Sequence, residues 1–169
     1  KFKGKLIRVE RDEILLPNGN MAFREIVKKS GGVCIVPLTS EGEVIFVNQF
    51  RYPYGRVIKE APAGKLERGE DPLECGIREL GEETGYTAGK IIPLGKFYPS
   101  PAIMDEVIYM YLATELREGD MHLDADEFLT NEKVPLDEAV QMILDGEISD
   151  GKTQAAILKI WALRQRGVI

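Results

Sequence analysis

The chain alternates between two hydrophobic rhythms, and each rhythm predicts a different kind of element. Residues 2–29 alternate apolar and polar positions and are interrupted by one clear turn, Pro17 to Asn20, which predicts a hairpin with some additional extended chain. Gly31 and Gly32 break this pattern, and a short continuous apolar run follows from Val33 to Leu38, as expected of a buried strand. A turn at Ser40 to Gly42 leads into a second such run, Glu43 to Gln49. Tyr52 to Gly55 reads as a loop, and Val57 and Ile58 begin the next strand.

From Asp71 to about Thr84 the rhythm becomes helical. Asp71 suits the N-cap, Pro72 the first helical position, and Gly85 the position just past the end. Residues 90–115 return to strand, with Val107 to Ala113 the strongest run. A short helix is expected over Leu136 to Leu144 and a longer one from Gly151 onward, where Trp161 reads as core. With no repeat, low-complexity tract or interdomain linker, the sum is a mixed sheet with a few packed helices.

Composition changes this picture little. The 169 residues suffice for one domain with its own core, and 44% hydrophobic with 30% charged residues is ordinary for a globular protein. The formal charge of −6 argues against a nucleic-acid backbone as a general partner, although metal ions and a few arginines can still invert the sign locally for phosphates. Cys34 and Cys75 are expected as two buried thiols, no zinc spacing is present, and the single histidine, His122, reads as a surface residue. No signal peptide or membrane-spanning run is visible, so a cytoplasmic location is the expectation.

The candidate chemistry lies on the helix. At about 100° per residue, Glu79, Glu82 and Glu83 fall within an arc of about 100°. Ionised carboxylates this close repel one another and weaken a helix, unless a hard divalent cation sits among them. A solvated acidic face accounts for Glu82 and Glu83. It does not account for Gly76 and Gly81, each costing about 1 kcal/mol relative to Ala inside a helix.

Residues 64–86 resemble the glutamate-rich box of the Nudix hydrolases. Gly64, Glu70, Arg78, Glu79, Leu80, Glu82, Glu83, Gly85 and Tyr86 stand in its register. Seven fixed identities would match by chance on the order of once in a million chains or less. The resemblance implies a Nudix fold. That is an α+β arrangement, an α/β/α sandwich with a mixed sheet core and a loop–helix–loop for the box, preceded by an N-terminal antiparallel sheet. Residues 1–169 would form one domain, with 1–30 an extension that takes part in a homodimer whose substrate sites draw on both subunits. Glu79 and Glu83 would bind metal, Glu82 would lie in or beside the coordination shell, and the Ala63 carbonyl would complete it. Gly64, Glu70, Arg78 and Gly85 would be structural, with Arg78 pairing Glu70 across the loop. The cofactor would be Mg²⁺, with Mn²⁺ a possible substitute.

Outside the box the chain is similar to the ADP-ribose pyrophosphatases of that family. Pro101 falls fifteen residues past Tyr86, where the subgroup carries a proline, and residues 16–19, 24–27, 48–51 and 60–64 match as well. This implies a small-molecule nucleotide sugar as substrate and cleavage of ADP-ribose to AMP and ribose 5-phosphate. Arg51 would contact the diphosphate, Arg24 and Glu25 would help to hold the adenosine end, with Phe23 or the Arg24 plane stacking the base, and Glu60 would touch substrate, against a strand-end salt bridge as the simpler reading. Glu127, in the acidic stretch 123–129, would activate water, with Asp126 and Asp124 as neighbours able to take that role and Glu82 as the alternative base. Other nucleoside diphosphate sugars, nucleoside triphosphates, or a nucleotide-binding module without turnover are the competing readings.

Overall fold

A computed structural model describes residues 1–123 and 128–169. Among the described residues, ten strands, one 3₁₀ turn and three α-helices follow in chain order. The strands β1 (Phe2–Lys3), β2 (Ile7–Leu15) and β3 (Met21–Lys29) form an antiparallel sheet of their own. Its hairpin closes at Leu16–Asn20, where the Gly19 amide donates to the Leu16 carbonyl at 2.9 Å. This sheet meets the rest of the chain through the Val27 amide, which donates to Ile103 at 2.7 Å, and through ion pairs from Lys28 to Asp105 and Lys29 to Glu106.

Next come β4 (Gly32–Pro37), β5 (Glu43–Arg51), the 3₁₀ turn Tyr52–Tyr54, β6 (Arg56–Glu60) and β7 (Ala63–Lys65). Helix α1 (Pro72–Thr84) leads to β8 (Tyr86–Phe97), β9 (Ile108–Glu118) and β10 (Leu129–Pro135), and the chain ends with α2 (Leu136–Leu144) and α3 (Gly151–Gln165). Two further sheets result, in the orders β10-β5-β6 and β7-β4-β9-β8. The β4–β9 pairing is parallel and its neighbours are antiparallel, so the sheet is mixed, as expected.

All six residues of β4 are buried, which explains the unbroken apolar run. Side chains alternate across a strand, so β4 feeds two cores. Cys34 and Val36 join the large core with Phe46, Leu112, Ile157 and Ile160, reaching α3. Ile35 joins Leu80 of α1 and Ala113 on the other face. The sheet therefore lies between α1 and α3, and burial on both faces fixes its register, because a slip of one residue would exchange the two cores.

One expectation needs correction. Trp161 is only half-buried; it sits at the rim of the large core and its Nε1 donates to Asp137 Oδ1 at 2.9 Å. An indole N–H requires a partner, and the open rim supplies one. Gly76 and Gly81, which an acidic face alone does not account for, have uncrowded surroundings in the protein. A Cβ on Gly76 would stand 3.5 Å from Tyr111, an ordinary contact, and on Gly81 nothing lies within 4 Å. Among the described residues no protein contact accounts for the second glycine. Cys34 and Cys75 are buried and unbridged, and burial pushes both thiols up to about 12. Among the described residues no helix is long and apolar enough to cross a membrane.

Candidate active site

Helix α1 is built to present its acidic face. The Asp71 side chain caps it by accepting from the Leu73 amide at 2.8 Å, and Gly85 ends it at φ +75°, donating to Gly81. A side chain on Gly85 would be strained by that φ and would collide with the Gly119 carbonyl, 2.8 Å from a Cβ. Leu80 anchors the opposite side of the helix in the core.

Glu79 and Glu83, one turn apart, are 7% and 2% exposed. Such burial is exceptional for carboxylates. Glu83 Oε2 accepts the Ala63 amide at 2.9 Å, which ties the helix to β7. Glu79 lies directly over the α-carbon of Gly64, so closely that a Cβ there would overlap its carboxylate. Glycine at 64 is therefore demanded by a close approach, which spacing alone does not reveal.

Glu82 is held by a neighbouring cation. Arg78 Nη1 takes it at 2.7 Å, reaches Glu79 at 2.8 Å, and the same guanidinium holds Glu70 at 3.0 Å. The pairing expected between Arg78 and Glu70 is present. Glu82 is turned toward Arg78 and is absent from the cleft wall that Glu79 and Glu83 share. Among the described residues no three acidic, histidine or cysteine side chains converge as a ready-made metal cage. This is compatible with a cation that protein holds through one or two carboxylates and completes with water and phosphate.

The Arg78 guanidinium and the Glu67 amide together hold the Glu70 carboxyl at about 2, below its ordinary 4.5. A depressed folded-state value contributes stability above the unfolded value and loses it as the pH falls toward 2. The Tm difference between wild type and Glu70→Gln is expected to be full at pH 7 and to shrink between pH 4.5 and 2. Thermal melts across that range check it; a difference independent of pH would refute the linkage.

Two adjoining cavities meet at Arg51, Ala63, Gly64 and Lys65. The smaller, about 350 Å³, is the carboxylate cleft, lined by Glu79, Glu83, Arg78 and Gln49. The larger, about 600 Å³, carries Tyr54, Glu60, Phe97, Glu106 and Lys152. Arg51 stands at the end of β5, as expected, and faces both. Its Nε and Nη2 donate to Glu60 at 2.6 and 2.8 Å, and Lys152 donates to Glu60 at 2.5 Å. For Glu60 the strand-end salt bridge is thus the arrangement found, with both carboxylate oxygens engaged. Burial pushes Glu60 up, but Arg51 and Lys152 outweigh it and hold it below the ordinary glutamate value.

Other expected site residues are dispersed. Arg24 and Glu25 lie exposed on β3, outside the walls of both cavities. Phe23 is covered on one face by Arg11, whose Cζ is 4.0 Å from the ring centroid. Pro101 sits in an exposed turn closed by the Met104 amide on Ser100, while Pro99 borders the larger cavity. Glu127, Asp126 and Asp124 lie outside the described residues. Lys29, Glu106, Asp150 and Lys152 were not foreseen at the site. Only Lys152 carried a signal, being a cation in the first turn of a helix, where the macrodipole disfavours it.

The chain is 46% identical to an ADP-ribose pyrophosphatase of Bacillus subtilis (strain 168), over 92% of this chain and 85% of that one. It is 42% identical, with the same coverage, to a methanol dehydrogenase activator of Bacillus methanolicus. A solved structure described as an ADP compounds hydrolase superposes with a TM-score of 0.86, covering 100% of this chain and 92% of that one at 19% identity, which speaks for the fold. The model of the NUDIX domain matches residues 28–156, and with that span, which contains the whole carboxylate cleft, the chain belongs to the NUDIX domain family.

Proposed function

We propose that the protein hydrolyses the diphosphate bond of ADP-ribose to AMP and ribose 5-phosphate, with Mg²⁺ as its metal. The observation that carries this reading is the shared cleft, in which two buried carboxylates, Glu79 and Glu83, face the same space as Arg51. The relative at 46% identity, an ADP-ribose pyrophosphatase, supports the choice of substrate.

Glu79 and Glu83 would hold the cation, with the Ala63 carbonyl beside them. Hard oxygen donors of this kind suit Mg²⁺ or Mn²⁺. When bound, the metal supplies charge neutralisation to the diphosphate and acidity to a water molecule. Arg51 offers its remaining donors to phosphate oxygens in a planar fork. Arg78 holds Glu79 and Glu82 in place and so acts through them.

Glu127 is the proposed base for water. Its flanks support this: the His122 amide donates to the Glu82 carbonyl at 3.1 Å, and Leu129 pairs with Gln49, a residue of the cleft wall. The described flanks, His122 and Leu129, are thus held against the box helix and beside the cleft wall. Arg24 and Glu25 are proposed to serve the site of a second copy. The exposed Phe2, Leu6, Leu15, Met21 and Phe23 of the first 30 residues favour such pairing. A cytoplasmic location is part of the same proposal.

Incubation with Mg²⁺ and a panel of nucleotide sugars tests the function. ADP-ribose is expected to give AMP and ribose 5-phosphate with a higher kcat/KM than ADP-glucose, GDP-mannose or any nucleoside triphosphate, and chelator is expected to abolish turnover. Preference for a guanosine sugar or a triphosphate would overturn the substrate, and turnover by metal-free protein would overturn the chemistry.

A further inference from the structure

Lys152 occupies a costly position. It is the second residue of α3, where the positive end of the helix dipole repels a cation. Its side chain is only 13% exposed. Burial disfavours its charge, but Asp150 and Glu60 outweigh burial and keep the ammonium protonated. Its Nζ donates to Glu60 Oε2 at 2.5 Å and to Asp150 Oδ2 at 2.9 Å.

These contacts belong to a chain of alternating charge that runs from α3 to the cleft. Thr153 fixes Asp150 by donating through its amide at 3.0 Å and its hydroxyl at 2.5 Å, and the same hydroxyl accepts the Ala61 amide at 2.8 Å. Lys152 joins Asp150 to Glu60, and Glu60 joins Lys152 to Arg51. Glu60 Oε2 is therefore shared between Arg51 Nη2 and Lys152 Nζ.

We infer that Lys152 is a positioning residue that keeps the charge of Arg51 available to the substrate diphosphate by neutralising Glu60 from behind. The inference rests on the reading that Arg51 binds the diphosphate. With Lys152 present, the negative charge of Glu60 is divided between two cations, and Arg51 retains positive potential toward the cavities. Without it, Glu60 is balanced by Arg51 alone and Asp150 by no lysine, so an incoming diphosphate meets less positive potential at Arg51. The loss falls on binding rather than on the step at the carboxylates, because Lys152 borders the larger cavity and not the Glu79–Glu83 cleft.

The test is binding of α,β-methylene ADP-ribose, a non-hydrolysable diphosphate analogue, with Mg²⁺, alongside steady-state kinetics on ADP-ribose. Lys152→Met is expected to weaken analogue binding about five- to tenfold, within the usual coupling in one charge network. The change should appear in KM and not kcat, and Lys152→Arg should restore binding. In a Glu60→Gln background, Lys152→Met should add less than about twofold, because the charge it neutralises is gone. Melting curves check folding, and Lys152→Gln replaces the Met variant if that one does not fold. An equal penalty in both backgrounds, a fall in kcat at unchanged binding, or no rescue by Arg overturns the inference. Arg51→Ala separates the two readings. If it leaves analogue binding unchanged, the phosphate role of Arg51 falls and this inference with it. If it weakens binding while Lys152→Met acts independently of Glu60, only the role of Lys152 falls.

Discussion

Glu83→Gln is expected to lower kcat/KM by at least about 100-fold, the upper end of what loss of an outer partner costs a metal site. The amide keeps the size of the side chain and can still accept the Ala63 amide through its oxygen, so the link from α1 to β7 persists. What disappears is one ionised donor in a cleft where Glu79 is its neighbouring buried carboxylate. Raising Mg²⁺ should recover part of the loss, because the defect is in metal affinity. Activity measured against metal concentration checks this. Wild-type turnover at ordinary Mg²⁺ would remove Glu83 from the site. A low activity that no metal concentration improves would move its role from holding the cation to the reaction itself.

Gly64→Ala is expected to separate activity from stability. The added methyl would occupy the space of the Glu79 carboxylate. The least costly relief is rotation of that side chain, since its far end is more easily moved than the backbone of β7. Overpacking of this kind costs about 1–3 kcal/mol, so the variant should fold with a lowered Tm. Glu79 would then point away from the cleft, and on the proposed role of Glu79 in holding the metal kcat/KM should fall by at least about 100-fold. Melting curves and kinetics on the same preparation decide the matter. A variant with near-normal kcat would show that Glu79 has no need of its place over Gly64. A variant that does not fold would show that the collision is relieved through the backbone, and Gly64→Ser would be expected to fail likewise.

Much of the local structure was legible because it depends on near neighbours in sequence. Asp71, Pro72 and Gly85 delimit α1, and the structure begins and ends the helix there. The apolar runs at 33–38 and 43–49 are buried strands, since strands covered on both faces need no polar alternation. The spacing of Glu79 and Glu83 placed them on one face, as helical geometry requires.

Spacing placed Glu82 on the same arc as Glu79 and Glu83, and in the structure Arg78 pairs with it and with Glu79 alike. That pairing depends on the rotamer of one guanidinium reaching three acids at once, and no angular projection contains it. Glu60 had two readings in sequence, and its pairing with Arg51 is the strand-end salt bridge of one of them. What spacing could not contain is the second cation, Lys152, which is 92 residues away and reaches Glu60 only after α3 packs against the sheet. Trp161 looked like core by periodicity, and the edge of the packed layers left it at the rim.

The sequence by itself determined the helix, its caps, the strand pattern and the acids available to a metal, because hydrogen bonding, backbone sterics and side-chain periodicity act over a few residues. Tertiary structure alone decided which of those acids share a cleft, why residue 64 has no side chain, and that Glu60 is shared between Arg51 and Lys152. These are matters of distance between segments far apart in the chain, and charge interactions and steric overlap depend on such distances only once the layers have packed.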